Sequence, residues 1–372
     1  MVEWKKLGEV TQIIRGNRVT KSDLLDDGVY PVISGGFSPL GYINRYNREK
    51  NTITIAQYGS AGYVDWQKEK FWANDVCYSV YPLEVLNNRF LFYSLMNKQY
   101  DIYSLRTNAV PAHLPLKSLQ DIEIPVPSLS EQERIVGILD TFTSSIDNLK
   151  QQITQRRKQY EYYRDQLLDF KGNDIIEKLS FGGDFMLKAR IGWQGLTKKE
   201  YRDSGEYKLI TGTDFTKYNR IDFDNCVYVD KDRYDQDPYI QIHEDDVLIT
   251  KDGTLGKIAY IDKMNMPATL NGGVFVVRDK SSLVLQKFLM YYLTSSYFVN
   301  WMKHNHTQGS IQHLTQALLS KFSIPVVSKD KQIHIIEILD AFTDSIQNLE
   351  SQLSQREKQY EYYRNKLLTF ED

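Results

Sequence analysis

A chain of 372 residues is long enough for two or more domains with cores of their own, and 41% hydrophobic with 25% charged side chains is ordinary for soluble globular protein. The formal net charge of −2 lacks the basic excess usual in a nucleic-acid binder, so such a role needs locally clustered Lys and Arg or charge lent by a partner. No run approaches the roughly 18 apolar residues of a membrane span, the first residues have no signal-peptide layout, and two cysteines, Cys77 and Cys226, fit a reducing cytoplasm rather than a disulfide framework.

In chain order, residues 1–128 read as a mixed, strand-rich domain. Val29–Ile33, Thr52–Gln57 and Asp75–Tyr81 have strand character between Gly, Asn and Ser punctuation, and Arg89–Lys98 has helical spacing. Two prolines, Pro125 and Pro127, stiffen the exit, and Ser130 with Glu133 predicts a capping box at the start of a long helix over 129–172. A second strand-rich domain over 173–327 and a second long helix over 328–372 complete the chain.

The helices carry the strongest signal. Ile135, Leu139, Phe142, Ile146, Leu149, Ile153, Arg156, Tyr160, Tyr163, Leu167 and Phe170 step by four and three without a break, the heptad rule for a narrow buried seam. The same run recurs 200 positions on, through Leu339, Phe342, Ile346, Leu349 and Leu353 to Phe370. Positions outside the seam recur too, as in Gln159–Arg164 and Gln359–Arg364, so the chain is a tandem duplication. The domains repeat as well. Tyr30–Gly35 corresponds to Tyr207–Gly212 and Ile55–Gly62 to Ile249–Gly256, with most of the second copy's extra length inside Asp214–Asp246.

The fold class predicted is therefore α+β, with two homologous strand-rich domains joined by two long helices that pair as an antiparallel coiled coil with pseudo-twofold symmetry. Each helix needs a partner for its seam, and the nearest equivalent is its own copy. Leu139, Phe142, Ile146, Leu149, Ile153 and Leu339, Phe342, Ile346, Leu349, Leu353 are the expected pairing residues. Arg156 and Arg356 fall on the seam, where they either fix register or snorkel at its edge.

Motifs for chemistry are wanting. Gly253–Ile258 is too short for a phosphate loop and leads into a strand-like run, so it reads as a turn between strands. No Asp/Asn-Pro-Pro-aromatic loop of an amino-methyltransferase occurs, and Phe181–Asp184 reads as a linker turn with no strand before it. His304, His306 and His313 lack a Cys or carboxylate at ligand spacing, so no metal site is expected. The chain reads as non-catalytic and in need of no cofactor.

The polar loops read instead as a binding surface. Arg15, Asn17, Arg18, Lys21, Gln57, Tyr58, Ser60, Arg106 and Asn108 form the first domain's set. Lys188, Arg190, Gln194, Thr211, Thr213, Lys251, Thr254, His304, His306, Gln308, Ser310 and Gln312 form the second's. Arg, Lys, Asn and Gln reach base edges, and Ser, Thr and Gly amides suit phosphate oxygens. Such residues are also those of any solvated loop; their recurrence in two diverged domains is what favours binding.

Ile124–Val136, read as Ile-Pro-Val-Pro-Ser-Leu-Ser-Glu-Gln-Glu-Arg-Ile-Val, resembles the exit from a target recognition domain in the specificity subunit of type I restriction-modification enzymes. The second copy keeps Ile324-Pro325-Val326 and departs at Ser328–Lys331, where Glu-Gln-Glu is worn to Asp330-Lys331-Gln332. The resemblance covers the whole order of domain, helix, domain, helix, and it makes residues 1–128 and 173–327 target recognition domains. It implies that each domain reads one half of a bipartite, asymmetric site in double-stranded DNA. It implies that the helices set the spacer and dock two modification subunits, with restriction subunits in the full complex. AdoMet, ATP and Mg then belong to partner subunits, which act as an adenine-N6 methyltransferase and an ATP-dependent endonuclease. Tyr162, Arg164, Tyr362 and Arg364 are the expected partner-docking residues, or else part of a solvated face. The competing reading is a coiled-coil adaptor with two protein-binding domains and no DNA role.

Overall fold

The computed structural model of the chain describes residues 2–170, 175–192, 195–252, 255–305 and 314–370. Contacts divide it into two compact units, Met1–Lys150 with Ser351–Asp372, and Gln151–Glu350. Both cuts fall inside the long helices, which span Leu129–Leu167 and Lys329–Leu368.

In the first unit the strands are β1 (Glu3–Lys6), β2 (Thr11–Arg15), β3 (Tyr30–Ile33), β4 (Tyr42–Ile43), β5 (Thr52–Ala56), β6 (Val64–Gln67), β7 (Trp72–Ala73), β8 (Cys77–Pro82) and β9 (Glu123–Val126). They make a two-stranded ribbon β1-β9, a four-stranded sheet β2-β8-β5-β6 and a three-stranded sheet β4-β3-β7. Strand β5 is central, so all five of its residues are buried and it lacks the alternation of a half-exposed strand. The stretch holding Pro125 is a strand rather than a plain exit, because a two-stranded ribbon leaves one edge free for a residue without an N–H.

The second unit repeats this plan. Its strands are β10 (Glu177–Ser180), β11 (Phe185–Lys188), β12 (Tyr207–Ile210), β13 (Val227–Val229), β14 (Val247–Thr250), β15 (Ile258–Tyr260), β16 (Ala268–Leu270), β17 (Val274–Asp279) and β18 (Ser323–Val326). They pair as β10-β18, β11-β17-β14-β15 and β13-β12-β16. In both three-stranded sheets the middle strand is antiparallel to one neighbour and parallel to the other. Phe181–Asp184 does have a strand before it, β10, and is the turn from β10 into β11. The strands on either side of the expected Gly-rich turn, β14 and β15, are antiparallel, and Gly253 and Thr254 lie outside the described residues. Strand β13 is the counterpart of β4, and the extra length of this copy includes a short helix, Lys231–Asp235.

Each unit closes its core with parts of both long helices. Ile135 and Leu139, from the start of the first helix, pack with Phe90, Leu91 and Leu119, and Leu368 from the end of the second joins them. In the second unit Ile335 and Leu339 pack with Phe288, Leu289 and Leu319, joined by Leu168. Within each unit the two helical segments run antiparallel. Phe142 stacks on Tyr363 with ring centroids 5.3 Å apart in the first, and Tyr163 on Phe342 at 5.6 Å in the second. Of the expected pairing residues, Leu139, Ile146, Ile153, Leu339 and Ile346 are buried, and Phe142, Leu149, Phe342, Leu349 and Leu353 are half-buried. The seam arginines lie over aromatic rings of the other helix, Arg156 over Phe342 at 5.8 Å and Arg356 over Phe142 at 5.6 Å. A guanidinium keeps its charge solvated this way while covering apolar surface.

The helix start differs by two residues from the expected capping box. Ser128, not Ser130, sits before the first helical residue, and its hydroxyl accepts from the Glu131 N–H at 3.4 Å. Ser328 does the same for Lys331. Behind each cap lies a fully buried glutamine. Gln132 accepts from the Asn87 N–H at 2.7 Å and donates to the Val85 and Pro127 carbonyls at 3.0 and 2.9 Å.

Candidate nucleic-acid interface

In the first unit three segments far apart in sequence form one connected rim. The β5–β6 turn, residues 57–63, is shaped by Gly59 and Gly62, both at positive φ (71° and 87°). A Cβ on Gly59 would sit 2.5 Å from the Gly35 carbonyl, so only glycine lets these backbones meet, and the Ser60 N–H donates to that carbonyl at 2.6 Å. On the other side Tyr58 bridges to His113, with rings stacked 5.3 Å apart, and the Leu114 N–H donates to the Gln57 carbonyl at 2.9 Å. The His113 Nδ1 lies 3.0 Å from the Thr107 hydroxyl, which brings in Arg106 and Asn108. Arg106 is exposed and rests on Tyr103 at 4.9 Å, donating to its carbonyl at 2.8 Å.

Arg15, Asn17, Arg18 and Lys21 join the rim through a residue that no sequence pattern singled out. Asn74 is buried; its side-chain oxygen accepts from Val19 N–H at 2.9 Å and its amide nitrogen donates to the Ser34 hydroxyl at 3.3 Å. Gly16 threads beside it, where a Cβ would meet the Asn74 carbonyl at 2.1 Å. Arg15, Asn17, Arg18 and Lys21 are exposed, and Gln57, Tyr58 and Ser60 are half-buried. The Gln57 side-chain oxygen is buried with no hydrogen-bond partner among the described residues, an acceptor left unused. Phe37 was also missed. It is 71% exposed beside Gly36 and meets Tyr63 edge-on at 4.9 Å, an apolar face of the kind that contacts a thymine methyl or a base edge.

The second unit builds the same frame with other side chains. Leu314 N–H donates to the Lys251 carbonyl at 3.1 Å, as Leu114 does to Gln57, and Gly256 (φ 73°) takes the place of Gly62. Lys251 thus stands where Gln57 stands, with its ammonium over Phe275 at 5.4 Å. Thr211 and Thr213 form a turn held by buried Asp214, whose carboxylate accepts from the Thr211 N–H at 2.6 Å, and Gly212 of that turn lies against Thr250. Lys188 is exposed, over Tyr239 at 5.3 Å. His304 is exposed in the last turn of helix Ser296–Asn305, its Nδ1 2.6 Å from the Asn300 carbonyl. A groove of about 500 Å³ runs past Lys251, Asp252, Phe275 and Thr315. Gln194, Thr254, His306, Gln308, Ser310 and Gln312 lie outside the described residues.

Arg190 is a correction. Its side chain is 2% exposed, and its guanidinium donates to the Leu270 and Arg233 carbonyls, to Gln236 Oε1 and to Thr269 Oγ1 at 2.8–3.2 Å. It clamps β16 to the Lys231–Asp235 helix and offers no charge to a phosphate. Arg164 and Arg364 are likewise turned inward, over Tyr160 and Tyr360 at 5.5 Å, whereas Tyr162 and Tyr362 are exposed (58% and 59%). Burial pushes the Cys77 thiol up to about 12, so it is no ready nucleophile.

Comparison with known proteins agrees with this geometry. The family model described as type I restriction modification DNA specificity domain matches residues 1–156 and 194–356. A Haemophilus influenzae protein that carries the name of a type I restriction enzyme specificity subunit is 32% identical over 387 residues, covering 99% of this chain and 96% of that one. The Escherichia coli EcoR124I/EcoR124II specificity subunit is 27% identical, covering 99% and 94%. The crystal structure of a type I restriction-modification S subunit from M. genitalium superposes with a TM-score of 0.68 at 19% identity, covering 100% and 97%.

Proposed function

This chain belongs to the type I restriction modification DNA specificity family, and we propose that it is the subunit that chooses the DNA sequence on which a type I complex acts. Each unit reads one half of a bipartite, asymmetric site, and the paired helices set the spacer between the halves. The observation that carries this reading is the pair of equivalent turns at Gln57 and Lys251. The two turns share one backbone hydrogen-bond frame and present different side chains, an amide in one and a cation in the other. One scaffold used twice with unlike side chains reads two unlike half-sites.

The chemistry belongs to partners. Two modification subunits bring AdoMet and methylate adenine N6, and restriction subunits bring ATP- and Mg-dependent cleavage. Exposed Tyr162 and Tyr362 are the docking side chains we assign, with Arg164 and Arg364 supporting the neighbouring Tyr160 and Tyr360. A net charge of −2 fits a reader that shares its DNA grip with basic partners. We assign the complex to the cytoplasm, where its DNA lies; no helix among the described residues is long and apolar enough to cross a membrane.

Methylome sequencing of cells that carry this chain with its modification partner tests the proposal. A bipartite methylated motif should appear, and replacing residues 1–128 with another recognition domain should change one half of it only. A motif unchanged by the replacement would overturn the reading.

A further inference from the structure

Within Ile138–Arg164 and its copy Ile338–Arg364, charge reverses at two positions, Lys150 against Glu350 and Arg157 against Glu357. Each of the four follows a seam residue (Leu149, Arg156, Leu349 or Arg356), the flank position that sets partner choice in coiled coils. In the first unit Lys150 Nζ lies 3.1 Å from Glu357 Oε1. In the second, Arg157 pairs with Glu350, which also receives Lys217 Nζ at 2.8 Å and the Tyr218 hydroxyl. Both cations therefore sit on the first helix and both anions on the second.

We propose that these four residues are a recognition code by which each long helix accepts the other copy on its own chain and rejects the same helix of a second copy of the protein. The register makes the rejection explicit. Glu357 is the counterpart of Arg157, and Glu350 that of Lys150. Two first helices paired in the same antiparallel register therefore set Lys150 against Arg157 twice. Two second helices set Glu350 against Glu357 twice. Apolar seam residues so nearly alike in the two copies give no such preference: Leu139, Phe142, Ile146 and Leu149 recur unchanged, and Ile153 becomes Leu353.

The code has a moment when it matters. The first helix is complete long before the second is made, since residues 168–328 lie between them. At about 5–20 residues per second that interval is roughly 8–30 s, during which the only seams at hand belong to first helices of neighbouring nascent chains. Once the second helix exists, linkage within one chain raises its effective concentration and secures the pair. The Lys150–Glu357 pair is half-exposed, with side-chain exposures of 55% and 48%, so it adds little to the stability of the finished chain. Discrimination between attraction and repulsion is the larger effect.

The swapped variant K150E/E357K separates the two roles. It keeps an opposite charge pair at 150 and 357 and leaves Arg157, Glu350 and Lys217 untouched. It also makes each helix complementary to itself. In a pair of first helices the new carboxylate at position 150 meets Arg157, and in a pair of second helices Glu350 meets the new ammonium at position 357. Tagged and untagged full-length chains are co-expressed, and the untagged chain recovered on the tag is measured against wild type. The expected result is at least fivefold more untagged chain for the variant, abolished by about 0.5 M salt during lysis, with a melting temperature within about 2 °C of wild type. Recovery equal to wild type overturns the proposal. So does a variant that melts far below wild type, since 150 and 357 would then not face each other as charged partners.

Discussion

Gln132 and Gln332, 200 residues apart, make the same three hydrogen bonds from a fully buried side chain. Gln332 accepts from the Leu285 N–H at 2.8 Å and donates to the Leu283 and Val327 carbonyls at 2.8 Å, as Gln132 does with Asn87, Val85 and Pro127. Each side chain fastens the start of a long helix to the loop before a domain helix. Replacing either by Ala leaves one backbone N–H and two carbonyls unpaired in the core. We expect a loss of about 2–4 kcal/mol in urea unfolding for Q132A or Q332A. Q132E should be no better, because a carboxylate cannot donate to two carbonyls. A loss below about 1 kcal/mol would mean that water replaces the amide.

The same helix starts carry a pH-sensitive contact. The Tyr93 hydroxyl donates to Asp140 at 2.5 Å and the Tyr291 hydroxyl to Asp340 at 2.6 Å. Burial first, and then these hydrogen bonds, hold both phenols well above the usual tyrosine range. A folded-state pKa above the unfolded value of about 10 means that the contribution is complete below pH 10 and is lost as pH rises towards the folded value. Stability should therefore fall above pH 10 by up to about 1.4 kcal/mol per pH unit for each tyrosine. Y93F/Y291F should flatten that part of the curve in urea titrations between pH 9 and 11.5. An identical slope in the variant would exclude these two phenols as its source.

The heptad run and its recurrence 200 positions on made the helices, their antiparallel sense and the duplicated domains legible, because those features are periodic and local. Three things were not legible. Arg190 sits in a polar stretch like any surface arginine, and only the fold reveals that four acceptors from β16 and the inserted helix enclose it. Asn74 resembles any turn asparagine, yet it joins Val19 to Ser34 across 15 residues of sequence and itself lies 40 further on. The compact units cross the long helices because Leu168 and Leu368 fill the core of the domain that the other helix starts from, a non-local fact that no heptad count contains.

Gly59 offers a test of the first reading loop. A side chain there meets the Gly35 carbonyl at 2.5 Å and must adopt a φ of 71°, which disfavours Ala by about 1–2 kcal/mol before any clash. G59A should shift the Tyr58–His113 stack and lower DNA affinity of the assembled complex at least tenfold at 0.1 M salt, with a global stability loss of no more than about 3 kcal/mol. Gly36, one residue from the contact, has no positive φ and its nearest neighbour to a Cβ is 3.4 Å away, so G36A is the control and should bind DNA nearly as wild type. Equal affinity for G59A and wild type would remove this loop from the interface.

The spacer can be tested at the middle of the helix pair. Lys150 faces Glu357 and Arg157 faces Glu350, and in sequence Ile153 lies between Lys150 and Arg157 as Leu353 lies between Glu350 and Glu357. Seven residues inserted at both points keep the seam in phase and preserve both ion pairs, because a heptad returns the apolar stripe to its place. Each helix lengthens by about 10.5 Å, the rise of seven residues at 1.5 Å. DNA rises about 3.4 Å per base pair, so a ruler made of these helices should now select a spacer about three base pairs longer. Methylome sequencing reads the spacer directly. Insertion in one helix alone should instead abolish methylation, since the second seam then has nothing opposite the added heptad. A spacer that stays the same after the double insertion would show that the helices hold the complex together without measuring the DNA.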